Sequence, residues 1–167
     1  IPMGARSHLR ESNEVFLEHV SRYFRKLLGE VSDLQATSSG DGPILLVQGE
    51  HAWTCSNPMQ GEKYLHEITR FIRESGITVP IINANDLWQE SPGTIDTWRG
   101  HENLLFHLRQ LRTVQPTAPR LVSEFRAAKA GTWGDSATSP RGKLAEAPAD
   151  HSPLATLEQM AEVLAGG

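Results

Sequence analysis

Between positions 15 and 28 the residues Val15, Phe16, His19, Val20, Tyr23, Phe24, Leu27 and Leu28 recur at helical spacing, which predicts an amphipathic helix. Ser12 and Asn13 precede it as candidate N-caps, and Glu14 stands in the first turn, where a negative charge meets the positive end of the helix dipole. The turn-forming stretch Thr37-Ser38-Ser39-Gly40-Asp41-Gly42-Pro43 then leads into Ile44-Leu45-Leu46-Val47, a short continuous apolar run. A run of that length suits a strand buried on both faces of a parallel sheet.

The pattern repeats along the chain. After a loop from Trp53 to Gly61, a helix is expected near Glu62 to Ser75, with Tyr64, Leu65, Ile68, Phe71 and Ile72 inward and Gly76 in the left-handed position just beyond. The next strand falls mainly at Ile81-Ile82-Asn83, because Pro80 cannot donate to a central ladder. Thr94-Ile95-Asp96 forms a short strand candidate. A helix from about Glu102 to Arg112 buries Leu104, Leu105, Leu108 and Leu111, and Leu121-Val122-Ser123-Glu124-Phe125 is the fourth strand candidate. Residues 135–152 are rich in Ser, Pro, Gly and Ala and predict a long loop. Pro153 then opens a last helix with Leu154, Leu157, Met160, Ala161 and Leu164 inward. Strands alternating with helices imply an α/β fold with a parallel sheet. No Gly-rich phosphate fingerprint follows the first strand, which argues against a dinucleotide-binding version. Four such strands fit either an open sheet or about half of a barrel.

Composition narrows the function classes. The 167 residues carry 38% apolar and 22% charged side chains, a net charge of -4 and a pI near 6.0. That balance offers no electrostatic footprint for nucleic acid, and no apolar run approaches the roughly 20 residues of a membrane span. The single cysteine, Cys55, excludes an internal disulfide and supplies no metal-site framework. The chain starts Ile1-Pro2-Met3 and stops just after a helical pattern, which predicts a piece of a longer polypeptide.

In α/β folds of this kind ligands gather at the carboxyl ends of the strands. The residues predicted there are Gln48-Gly49-Glu50-His51-Ala52-Trp53, Asn83-Ala84-Asn85-Asp86-Leu87-Trp88, Asp96-Thr97-Trp98 and Ser123-Glu124-Phe125. Carboxylates and amides suit sugar hydroxyls, and indole faces suit the apolar face of a pyranose. Each residue also has a structural alternative. Glu50 can be half of an ion pair and His51 a satisfied structural histidine. Asp86 and Asp96 can cap turns, and Trp53, Trp88, Trp98 and Trp133 can be packing residues.

Three segments, in order, resemble glycoside hydrolase family 35, the β-galactosidases. Gly42-Pro43-Ile44-Leu45-Leu46-Val47-Gln48-Gly49-Glu50-His51-Ala52-Trp53 resembles the family's G-P-I-I-x-V-Q-I-E-N-E-Y. Gly76-Ile77-Thr78-Val79-Pro80 resembles G-I-x-V-P, and Pro119 to Phe125 with Trp133-Gly134 resembles P-x-x-x-S-E-F-W-x-G-W-F-D-x-W-G. The resemblance implies part of a (β/α)8 barrel, about strands four to seven with their helices, over residues 1–167. It implies a retaining hydrolase of terminal β-galactosides that uses neither metal nor organic cofactor. Glu124 takes the place of the nucleophile; Glu50, His51, Asn85 and Trp98 are the expected sugar-binding residues. A secreted or periplasmic location would follow from the family. Oligomeric state is not legible.

The sequence departs from the family where its chemistry is most demanding. The acid/base glutamate of E-N-E is Ala52 here, the preceding asparagine is His51, and the aromatic run after the nucleophile reads Arg126-Ala127-Ala128-Lys129-Ala130-Gly131-Thr132. Alanine cannot donate a proton. If the strand stays regular, Glu50 and Ala52 share a face, so Glu50 or His51 could assume the role. The alternative to an enzyme is a carbohydrate-binding pseudoenzyme that has lost its proton donor. A self-standing interaction domain is a third reading, disfavoured because half a barrel leaves two unpaired parallel edges.

Overall fold

The computed structural model describes residues 9–85, 91–100, 102–125 and 153–166. The helices are α1 (Glu14–Gly29), one-turn α2 (Ala36–Ser39), α3 (Pro58–Glu74), α4 (Leu104–Val114) and α5 (Pro153–Gly166). The strands are β1 (Val47–His51), β2 (Ile81–Ala84), β3 (Ile95–Asp96), β4 (Trp98–Arg99) and β5 (Val122–Glu124). β1, β2 and β3 pair in parallel in chain order, and β4 pairs in parallel with β5. Only Thr97 separates β3 from β4, and its amide donates to Asn83 O at 2.9 Å. The segment from Ile95 to Arg99 therefore links β2 on one side to β5 on the other, and along the chain α3 stands between β1 and β2 and α4 between β4 and β5. This is the α/β alternation expected from the sequence.

Helix starts follow local chemistry. Asn13 caps α1, its Oδ1 accepting from Phe16 N at 3.1 Å, which satisfies one of the amides a helix leaves without a partner. α3 begins four residues earlier than the apolar period suggests, because Asn57 caps it and Pro58 occupies the first turn. Gly76, at φ 87°, ends that helix as expected. The core lies between α1, α3 and the strands: Phe16 and Leu17 meet Tyr64, Leu65, Ile68, Phe71 and Ile72, with Ile77, Val79 and Ile81 beneath. On α1, Val15, Tyr23 and Leu27 face out, so the buried stripe is narrower than the apolar pattern and is centred on Phe16.

Three expectations need correction. The first strand begins where the apolar run ends: Val47 is its first residue, while Leu45 and Leu46 are exposed. Pairing with β2 sets its position, since Val47 N donates to Pro80 O and Val47 stands opposite Ile81. Second, β1 is not regular. Its register steps from Gln48↔Ile82 to Glu50↔Asn83, leaving Gly49 as the extra residue of a bulge. Third, Leu154, Leu157, Met160 and Leu164 of α5 are exposed, not inward, and Ala161 is exposed with them. α5 rests on α4 by its other side. There Leu105 N donates to Glu162, the Arg120 guanidinium donates to Gly166 O, and Gly166 lies directly against Leu108. Periodicity finds an apolar stripe but not the surface that will cover it.

Gln35, which the apolar pattern did not single out, is 1% exposed and joins three segments. Its Oε1 accepts from Thr78 N at 2.6 Å and Val79 N at 3.1 Å, and its Nε2 donates to Ser32 O and Gly76 O. Gln35→Leu keeps the volume but removes the partners of buried backbone groups. Each such group costs about 1–3 kcal/mol when left unsatisfied, so a loss of about 3 kcal/mol in unfolding free energy is expected by urea denaturation. A loss below about 1 kcal/mol would show that water can replace the amide.

Candidate functional site

Two sequence-predicted site residues meet. His51 ends β1 and Glu124 ends β5, and His51 Nδ1 lies 2.6 Å from Glu124 Oε1. These strands are three spacings apart in the array, and a flat sheet would hold them about 14 Å from each other. Side chains of this length touch only because the array curls, carrying the carboxyl ends of its first and last strands towards one another. Gln48 Nε2 lies 3.3 Å from the same imidazole nitrogen. The carboxylate is 24% exposed and the imidazole 45%, so the pair is open to a ligand.

The strand ends are braced from below by a polar relay. Thr97 Oγ1 donates to Asn83 O at 3.0 Å and lies 2.8 Å from Ser123 Oγ, which also reaches Trp98 O. Asn83, 3% exposed, uses its Oδ1 to accept from Glu50 N at the bulge and its Nδ2 to donate to Thr94 Oγ1. A Cβ at position 49 would stand 3.0 Å from that Oδ1, so glycine leaves room for the amide. Asn83 and Thr97 thus position the residues beside Glu124. Their signal in the sequence was slight: small polar residues where a buried strand should be apolar.

Glu50 faces a different environment from His51. Its Oε2 accepts from Arg10 at 2.6 Å and its Oε1 accepts from the Tyr64 hydroxyl at 2.5 Å. Burial and the Glu50 carboxylate push the Tyr64 phenol above its ordinary range, so it stays protonated and donates. The hydrogen bond with Glu50 likewise raises the Arg10 guanidinium. Arg10 also reaches His51 O and accepts, through its own carbonyl, from Trp53 Nε1. This cluster clasps the segment before α1 to the end of β1.

The remaining predicted residues lie apart from the pair. Asn85 is buried, its Oδ1 accepting from Trp53 N at 3.1 Å. Trp53 is 2% exposed and stacks on Tyr64, which makes it a packing residue. Trp98 stacks on His107 of α4 with ring centroids 3.5 Å apart, so one indole face is already covered. Ala52 adopts φ 49°, in the left-handed region, and with the bulge at Gly49 this removes the regular geometry under which Glu50 and Ala52 would share a face. Asp86, Trp88, Trp133, the 126–132 run and the 135–152 loop lie outside the described residues. Among the described residues no helix is long and apolar enough to cross a membrane.

The site is thus a carboxylate and an imidazole paired at the strand ends of a parallel α/β array. Comparison with known proteins makes this specific: the sequence profile of glycosyl hydrolases family 35 matches residues 3–152, and the chain belongs to that family. Family 35 is a barrel family of glycoside hydrolases. The curated Beta-galactosidase 14 of Arabidopsis thaliana is 29% identical over 91 residues, a match that takes in 53% of this chain and 10% of that relative's length.

Proposed function

We propose that residues 1–167 form part of a catalytic (β/α)8 barrel, about strands four to seven with a long loop at 135–152, in a retaining hydrolase of terminal β-galactosides. The observation that carries this reading is the His51–Glu124 contact across three strand spacings. It fits the inward curl of a barrel wall, with a carboxylate beside an imidazole at the strand ends. Glu124 is the nucleophile: it attacks the anomeric carbon through an oxocarbenium-like transition state, and water hydrolyses the resulting ester. His51 contacts the substrate beside it. Glu50, engaged by Arg10 and Tyr64, supports the rim, as does Asn85, and Trp98 offers the indole face that His107 leaves uncovered. The partner is a carbohydrate.

The pseudoenzyme reading rests on Ala52, which the sequence resemblance matches to the family's acid/base. The two readings separate in one experiment. The complete protein is given an activated aryl β-galactoside, and the anomeric configuration of the first sugar released is followed by NMR. Retention of the β configuration is expected. An inverted product would remove the double-displacement mechanism, and saturable binding without release would favour the pseudoenzyme.

A further inference from the structure

A retaining hydrolase that lacks its acid/base carboxyl group still needs a proton for the leaving oxygen and a base for the water that follows. Glu50 is poorly placed to provide it, since its two oxygens are held by Arg10 and Tyr64 at 2.6 and 2.5 Å. Ala52 has no proton to give. His51 is the remaining titratable side chain at the end of β1, and it sits directly beside Glu124.

The pairing also selects which imidazole nitrogen can act. A nucleophilic Glu124 is a carboxylate, which only accepts, so on this reading Nδ1 donates its shorter contact, to Oε1 at 2.6 Å, and not the longer one with Gln48 Nε2 at 3.3 Å. The atom left to exchange protons is Nε2, one ring width farther from Glu124. We propose, taking Glu124 as the nucleophile as above, that Nε2 of His51 is the proton donor and acceptor of this site, in place of the family's carboxyl group. As the bond from the anomeric carbon to the leaving oxygen breaks, the Glu124 carboxylate forms the glycosyl ester and protonated Nε2 gives its proton to that oxygen. Neutral Nε2 then takes a proton from the water that attacks the ester. Free sugar, the Glu124 carboxylate and the protonated imidazole are regenerated.

The test compares His51→Asn with the unaltered complete protein on two substrates, β-galactosyl fluoride and an alkyl β-galactoside. Asparagine can still hydrogen-bond Glu124 but cannot transfer a proton. Fluoride departs without protonation and an alkoxide does not. The ratio of kcat/KM for the fluoride to kcat/KM for the alkyl galactoside is expected to rise about 10²–10⁴-fold in the variant. His51→Ala is expected to behave alike, with added imidazole recovering part of the alkyl galactoside rate. An unchanged ratio in both variants, with the fluoride still turned over, would overturn the role of His51 and leave Glu124 standing. No turnover of the fluoride by the unaltered protein would overturn the nucleophile reading and the histidine role together.

Discussion

Glu124→Gln is expected to lower kcat/KM of the complete protein for an activated aryl β-galactoside by about 10⁴-fold or more, with KM changed far less. The substitution is close to isosteric. Its amide oxygen can still accept from the His51 Nδ1 that lies 2.6 Å from Oε1 in the unaltered chain, and the Thr97–Ser123 contact beneath it is untouched. What disappears is the anion proposed to form the glycosyl ester. An activated leaving group makes the measurement independent of proton donation, so the loss reports the nucleophile alone. Activity within tenfold of the original would exclude Glu124 from the covalent step.

Ala52→Glu is expected to act in the opposite direction. It places a carboxyl group at the position that the sequence resemblance matches to the family's acid/base, and general acid catalysis is typically worth about 10²–10⁴-fold. Hydrolysis of an alkyl β-galactoside should therefore rise by up to that range, and the effect should be larger in a His51→Asn background, which lacks the proposed proton donor. The backbone sets no new obstacle. Position 52 already holds a non-glycine residue at φ 49°, and the cost of that conformation, about 1–2 kcal/mol, is borne by alanine as it would be by glutamate. No rise in alkyl galactoside hydrolysis would mean that Ala52 is more than a missing proton donor, because the bulge at Gly49 would then aim the new carboxyl group away from Glu124.

The features legible in the sequence were those that depend on local rules. α3 could be read from Tyr64, Leu65, Ile68, Phe71 and Ile72, because one buried stripe repeats at the helical period and every member of it is buried. Glu124 could be placed at a strand end because the strand-like Leu121-Val122-Ser123 leads into it. Less legible were the features that depend on which surfaces meet. Leu45 and Leu46 read as strand interior, yet the ladder starts at Val47, where β2 supplies a partner. The α5 stripe read as core, yet contacts with Leu105, Leu108 and Arg120 turn its other side inward. The face shared by Glu50 and Ala52 was inferred from a period of two, and a single bulged glycine cancels that inference. The approach of His51 to Glu124 joins residues 73 positions apart and exists only through the curl of the strand array. Gln35 was missed for a similar reason: its value lies in satisfying backbone groups of two other segments.

The central claim is that Glu124 forms a covalent bond to the sugar, and the most direct measurement is the mass of its peptide after reaction. The complete protein is incubated with a 2-fluoro-substituted β-galactosyl donor carrying an activated leaving group. The fluorine destabilises the oxocarbenium-like transition states of both steps, and the good leaving group lets the first proceed. A fluorogalactosyl adduct on the peptide containing Glu124 is the expected result. An adduct on any other carboxylate, Glu50 included, or an unmodified protein that nevertheless hydrolyses galactosides, would contradict it.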